Sequence, residues 1–362
     1  MTMHHKFKAL AGASLLATGL TFGAAQPSAA QEGIIYSTYA HQGAISTRGN
    51  LWLIEEVAKR SNGKFKIKDT FFSGALLKGA DQIEGLGDGI ADAGYVCTGY
   101  DLTKFPLASM AEMPYLTDKG DALAAAINEL YETYPPLKEE FHRNNLELLA
   151  TESPSPMIIG VGKKVKIEKA TDLAGLKIRA FGPYAELIKT GGNIVSVFVE
   201  VSEIGSALQT GVVDGYSVLP LWYPAAANFI PLTTNIVSPG VGTYYSCNIS
   251  MNLDTYNALD DDVKQLIADV RKEFPKKTIE LTVEGDKATL DQGKAAGVNF
   301  YKFTPEEVDA WKKNLDVDAL RAKWIEERQK HTSANVKEFA DKLIELVAKY
   351  EPQSTYTQEF PK

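Results

Sequence analysis

The sequence predicts an α/β protein of two domains. Three observations carry this: a length of 362 residues, a repeated alternation of short apolar strands with amphipathic helices, and a second half that restarts the scheme of the first. Hydrophobic residues at 44% and charged residues at 23% fit a globular protein. A formal net charge of −8 argues against nucleic acid or an anionic membrane as partner. An acidic chain that holds an anion needs a local, buried site.

The first 30 residues stand apart. Lys6 and Lys8 precede the acid-free run LAGASLLATGLTFGAA, and small residues Ser28 and Ala30 lead into the charged QEG. This reads as a signal peptide over 1–30, cut after Ala30, so the mature protein is expected to be exported. The run is too short for a comfortable membrane span, and no cysteine at the cut offers a lipid anchor.

From Gly33 the elements follow in order. GIIYSTYA is a strand, HQGAIST a loop, and 48–63 a helix with Leu51, Ile54, Val57 and Ala58 on one face and Asn62-Gly63 as its stop. KFKIKDTF alternates as a strand, and 81–100 gives a short helix, a glycine break and a buried strand ending AGYVCTGY. A helix over 120–134 is closed by Pro135-Pro136, and NLELLATE and PSPMIIGVGKKV are strands. The second half gives strand LKIRAFG, helix PYAELIKTGG, strand IVSVFVE, a helix over 202–215 capped by Ser202 with Gly205 in place of the acidic partner, and strand YSVLPLW. GTYYSCNISMNL is long enough to cross between domains. From Asp260 the chain reads as helical, interrupted by strand VNFYKF. Repeated alternation of this kind predicts mostly parallel pairing.

Enzyme chemistry is not legible. Beyond the leader only His41, His142 and His331 remain, without metal-ligand spacing, and no HExxH, CxxC, G-x-S-x-G or P-loop occurs. EGLGDG at 84–89 lacks the strand-to-helix setting of a dinucleotide site and reads as a helix break. No cofactor or metal is expected. Cys97 and Cys247 could pair in an oxidising compartment, but the reading adopted is two small buried side chains. The chain is built to hold something rather than transform it.

Arg179 is the candidate grip. It ends the strand LKIR, and its planar fork of donors matches a carboxylate in two parallel charge-assisted bonds. DLAGLKIRAFG (172–182) and SEIGSALQTGVVDG (202–215), with LWLIEEVAKRSNGKFKI, GIADAGYV and MPYL in support, resemble the substrate-binding proteins of tripartite ATP-independent periplasmic (TRAP) transporters, the DctP-like group. The resemblance spans about Gly33 to Tyr350. It implies a two-domain periplasmic-binding-protein fold, type II-like, crossed by the chain twice and braced by a long C-terminal helix. Its domains would be 31–153 with about 247–285, and 154–246 with about 286–350, followed by a tail at 351–362. It also implies that Arg179 salt-bridges a ligand carboxylate, and that the partners are the small and large membrane permease subunits.

Departures from the family pattern shape the ligand. Many relatives carry a second arginine one strand earlier, where this chain has SPSPMIIGVG. Where a polar pair often follows the VDG turn, this chain has Tyr216-Ser217-Val218. With Phe181, Trp222, Tyr100 and Tyr244 nearby, this suggests one carboxylate grip within apolar or hydroxyl-bearing walls. Thr98, Ser155 and His41 complete the candidate ligand contacts. The expected function is capture of a small organic anion by a monomeric receptor, the anion being a monocarboxylate, aromatic or short-chain. A sulfonate or dicarboxylate, a sensory role, and a periplasmic enzyme are the alternatives.

Overall fold

The computed structural model describes residues 33–153, 155–162, 165–243 and 247–361. The leader at 1–30 and the candidate contact Tyr244 lie outside them.

Two sheets organise the described residues. The first contains β1 (Ile34–Ser37), β2 (Ile67–Phe71), β3 (Ala93–Cys97), β4 (Leu146–Thr151) and β10 (Cys247–Asn252), in the order β2-β1-β3-β10-β4. The second contains β5 (Met157–Val161), β6 (Lys177–Arg179), β7 (Val195–Val197), β8 (Gly215–Pro220), β9 (Asn235–Ser238) and β11 (Asn299–Lys302), in the order β11-β9-β5-β8-β6-β7. Strands β3, β4, β5, β8 and β10 are buried along their whole length. Burial on both faces is why β3 and β5 read as near-continuous apolar runs, whereas β10, CNISMN, alternates although it is buried throughout.

The expected mostly parallel pairing is corrected to a mixed one. β10 runs antiparallel to β3 and β4, and β5 antiparallel to β8 and β9. Both strands are entered just after the chain crosses from one sheet to the other, whereas β11, entered after a third crossing, runs parallel to β9; strand direction after a crossing leaves no mark on local periodicity.

The pairing of β10 with β3 also overturns the reading of the cysteines. Register places Cys247 directly opposite Cys97, and the two form a disulfide across 150 residues of sequence. Sequence separation carried no sign of that proximity; only the register of β10 does.

Helix α1 (Ile45–Arg60) begins three residues earlier than the sequence suggests and buries Leu53, Ile54 and Val57. After α2 (Gln82–Gly87), α3 (Gly120–Thr133) is followed at once by α4 (Pro135–Arg143). Pro135 therefore opens a second helix as well as ending the first, because its missing N–H is harmless in a first turn. Next come α5 (Pro183–Gly192) and α6 (Ile204–Thr210). A 3₁₀ turn over Val201–Glu203 precedes α6, whose first residue is preceded by Glu203, so Ser202 is not its cap.

Short helices α7 (Tyr223–Ala226) and α8 (Leu253–Asn257) lead to α9 (Asp261–Ala295), 35 residues long. This is the bridging helix, packed on α1 beside the first sheet and on α7 beside the second. Pro275 lies inside it. Helices α10 (Pro305–Leu315), α11 (Val317–Gln329) and α12 (Val336–Tyr350) follow; Thr304 and Glu307 form a capping box at the start of α10. α12 lies along α3, where Lys349 meets Glu129 at 2.7 Å. No helix among the described residues is long and apolar enough to cross a membrane.

Candidate functional site

Arg179 closes β6, whose neighbours β7 and β8 both run parallel to it. Its side chain therefore leaves the second sheet at a carboxyl edge, where open α/β sheets receive ligands. The residue is only 1% exposed. Nε donates to the Val199 carbonyl at 2.9 Å and Nη1 to the Ser217 carbonyl at 3.3 Å, while the Ser217 hydroxyl donates back to the Arg179 carbonyl at 3.0 Å.

A local distortion of β8 makes this arrangement possible. Its pairing with β5 shifts register between Ile158 and Gly160, and Val218 sits at φ +60°. A β-branched residue in the left-handed region costs about 1–3 kcal/mol, so the surrounding packing must hold it there. The bulge also separates two neighbours. Tyr216 turns into the core, over Gly160, where no Cβ would fit, and its hydroxyl meets Thr233 at 2.9 Å. Val218 turns into the cavity.

That cavity lies between the two sheets and encloses about 40 Å³. Of the candidate residues, Arg179, Phe181, Val218 and Trp222 line it from the second sheet's side, and Tyr100 from the first. The Arg179 guanidinium lies 4.7 Å from the Phe181 ring centre. Phe181 in turn stacks on Tyr100, with centroids 5.0 Å apart and planes at 18°. This stack spans the cleft and roofs the cation. Tyr39 stacks on Tyr95 at 5.2 Å and meets Tyr100 edge-on at 5.8 Å, and Trp222 lies 5.3 Å from Tyr223.

Electrostatics single out Arg179 again. It forms no ion pair with an acid among the described residues; Glu200 acts on it only at longer range. Burial pulls the guanidinium down from its ordinary value, and the tyrosine hydroxyls around it oppose that. Burial pushes Tyr100 up to about 12 while the Arg179 charge holds it back. Arginine is not deprotonated in proteins, so the guanidinium stays charged. A buried cation that meets carbonyl dipoles, tyrosine hydroxyls and aromatic rings, with no carboxylate paired to it among the described residues, is a site prepared for an anion.

Other candidate residues lie elsewhere. Thr98 is fully buried in the 3₁₀ turn Thr98–Tyr100 and does not line the cavity. His41 packs edge-on against Tyr223 at 6.1 Å, outside the lining, and burial lowers its pKa. Ser155 is engaged on the bridging helix, with its hydroxyl 3.1 Å from Asp286. The sequence reading did not find Tyr39, Glu112 or the Cys97–Cys247 disulfide, all of which line the cavity. Tyr39 follows β1 at its carboxyl end, the positional signal that had pointed to His41 in the same loop. Glu112 carries no such signal. Among the described residues, no cluster of three or more His, Cys, Asp and Glu could hold a metal ion.

A model of the bacterial extracellular solute-binding proteins, family 7 (DctP), matches residues 36–324. A solute-binding protein of Verminephrobacter eiseniae (strain EF01-2) is 25% identical over 267 residues, covering 72% of each chain. A TRAP periplasmic solute binding protein from Desulfovibrio salexigens DSM2638 is similar with a TM-score of 0.74 at 25% identity, over 90% of this chain and 98% of that one. A TRAP solute binding protein from Rhodoferax ferrireducens T118, in complex with copurified benzoate, gives a TM-score of 0.77 at 19% identity over 89% and 99%. At that identity the likeness is one of fold.

Proposed function

Because the chain belongs to the bacterial extracellular solute-binding proteins of family 7 and is of the TRAP periplasmic type, we propose that it captures a small organic monocarboxylate between its sheets and delivers it to the membrane permease. The small and large permease subunits are its partners in this reading. It works as a monomer, exported on a signal peptide cut after Ala30.

The observation that carries the ligand class is the buried Arg179, unpaired with any acid among the described residues and roofed by the Phe181–Tyr100 stack. A ligand carboxylate supplies the missing counter-charge through the guanidinium's outward donors, in a cleft where burial strengthens the attraction. The ring-rich walls favour an aromatic or short apolar remainder. Glu112 lines the same cavity, and among the described residues no second arginine or lysine does, so a second carboxylate on the ligand would find no second cation there. The benzoate bound by the Rhodoferax protein is the kind of molecule this arrangement suits.

A thermal-shift panel of monocarboxylates, dicarboxylates and sulfonates tests the reading, because a ligand of the folded state raises Tm by mass action. Monocarboxylates should give the largest shifts. A response confined to dicarboxylates would overturn the proposed class, and one confined to sulfonates would replace it.

A further inference from the structure

The bridging helix α9 carries a buried polar stripe that ligand binding in the cleft does not use. Thr278, Thr282 and Asp286 recur every four residues on one helix face and are 2%, 1% and 6% exposed. Together they hold the crossover that leads from β4 to β5. The Ser153 N–H donates to Thr278 Oγ1 at 3.1 Å, Thr282 Oγ1 donates to the Ser153 carbonyl at 3.0 Å, and Ser155 Oγ donates to Asp286 Oδ1 at 3.1 Å. Ser155 Oγ also accepts the Leu221 N–H at 3.1 Å. The Trp222 N–H reaches Asp286 too, and Gly285 lets the helix approach the Trp222 side chain closely. Asp286 thus sits between a crossover of the hinge and a wall of the cavity.

The second Asp286 oxygen is occupied from another direction. Tyr356 OH donates to Oδ2 at 2.8 Å. Tyr356 belongs to a segment fastened beside both sheets. On the first side the Thr355 N–H donates to Asp121, at the start of α3, at 3.1 Å. On the second, Phe360 packs edge-on against Phe300 of β11 at 5.8 Å.

We propose that residues 354–360 form a strap across the hinge, and that Tyr356 and Asp286 are positioning residues that hold the Leu221–Trp222 wall for ligand capture. The ligand part of this rests on the reading of Arg179 given above. A buried carboxylate receiving three donors fixes all three at once, and loss of one leaves the others less constrained. Tyr356 does not itself line the cavity, and its hydrogen bond to Asp286 is the link through which it would act on binding.

The test compares Tyr356→Phe and Asp286→Asn with the wild type in the full-length mature protein. Hydrogen exchange followed by mass spectrometry, without ligand, should show faster exchange in peptides covering 153–157 and 219–223 in both variants. Benzoate, used as the probe, should bind roughly five-fold more weakly to Tyr356→Phe, the size expected for one lost hydrogen bond. Unchanged exchange at 219–223 in both variants overturns the proposal, and so does unchanged benzoate affinity in a variant whose exchange has risen. Arg179→Ala separates the two readings. If it binds benzoate as well as the wild type while 219–223 still responds to Tyr356→Phe, the ligand reading has failed and the strap stands as a hinge element without a role in capture.

Discussion

Arg179 and Glu152 are the two buried ionisable residues with most to say about this protein, and they behave oppositely. Arg179 keeps its charge and meets backbone carbonyls and rings. Glu152 lies at the end of β4, where it accepts a hydrogen bond from Tyr95 OH, and burial pushes its pKa well above the usual carboxylate range. A carboxyl raised in the folded state binds its proton there while the unfolded chain releases it. Stability therefore falls as pH rises above the ordinary glutamate range, until the raised folded value is passed. Glu152→Gln keeps an acceptor for Tyr95 and cannot ionise. Its Tm relative to wild type should climb as pH rises above the ordinary glutamate range. A flat difference in scanning calorimetry would show that Glu152 is charged in the folded protein. Strand-end position brings Arg179 and Tyr100 into view in the sequence, and Phe181 and Trp222 enter as aromatic neighbours. The stretch Tyr216-Ser217-Val218 reads as one wall, but residues two apart share a face only in a regular strand, and the bulge before Val218 sends Tyr216 into the core.

At the scale of elements, β10 matters most. It brings Cys247 against Cys97 and so encloses a loop of 150 residues with one covalent bond that also lines the cavity. The paired Cys97→Ser, Cys247→Ser variant should lose about 2–4 kcal/mol of stability, measured by denaturant unfolding with and without a thiol reductant. Reductant should lower wild-type stability and leave the variant unmoved; a reductant effect of equal size on both would contradict the assignment. Helix α9 was legible as a helix from Asp260 onward, and its bridging role was expected of a long C-terminal helix. Its polar stripe was not legible, because Thr278, Thr282 and Asp286 read as ordinary positions until the crossover they hold is placed beside them. Ser155 was assigned to the ligand for the same reason: a crossover serine looks alike in sequence whether it faces a cavity or a helix.

For the whole molecule, two sheets meet over one cavity, and the stack of Tyr100 on Phe181 closes it. Such a ring pair contributes about 0.5–1.5 kcal/mol beyond its burial, enough to shift an open–closed balance several-fold. Phe181→Ala should therefore enlarge the radius of gyration of the ligand-free protein in small-angle scattering, and an added ligand should reduce it again. An unchanged radius would mean that the stack does not govern closure. The α/β class and most of its elements followed from alternation. Mixed pairing did not, since direction reversal leaves no local pattern.

The account turns on Arg179 as the carboxylate grip. Isothermal titration of the strongest monocarboxylate from the thermal-shift panel into wild type and Arg179→Ala tests it most directly, with Tm recorded for both to show that the variant is folded. Loss of a buried charged hydrogen-bond partner costs about 2–5 kcal/mol, so the folded variant should bind at least roughly thirty-fold more weakly. Equal affinity in wild type and a folded Arg179→Ala would contradict the account.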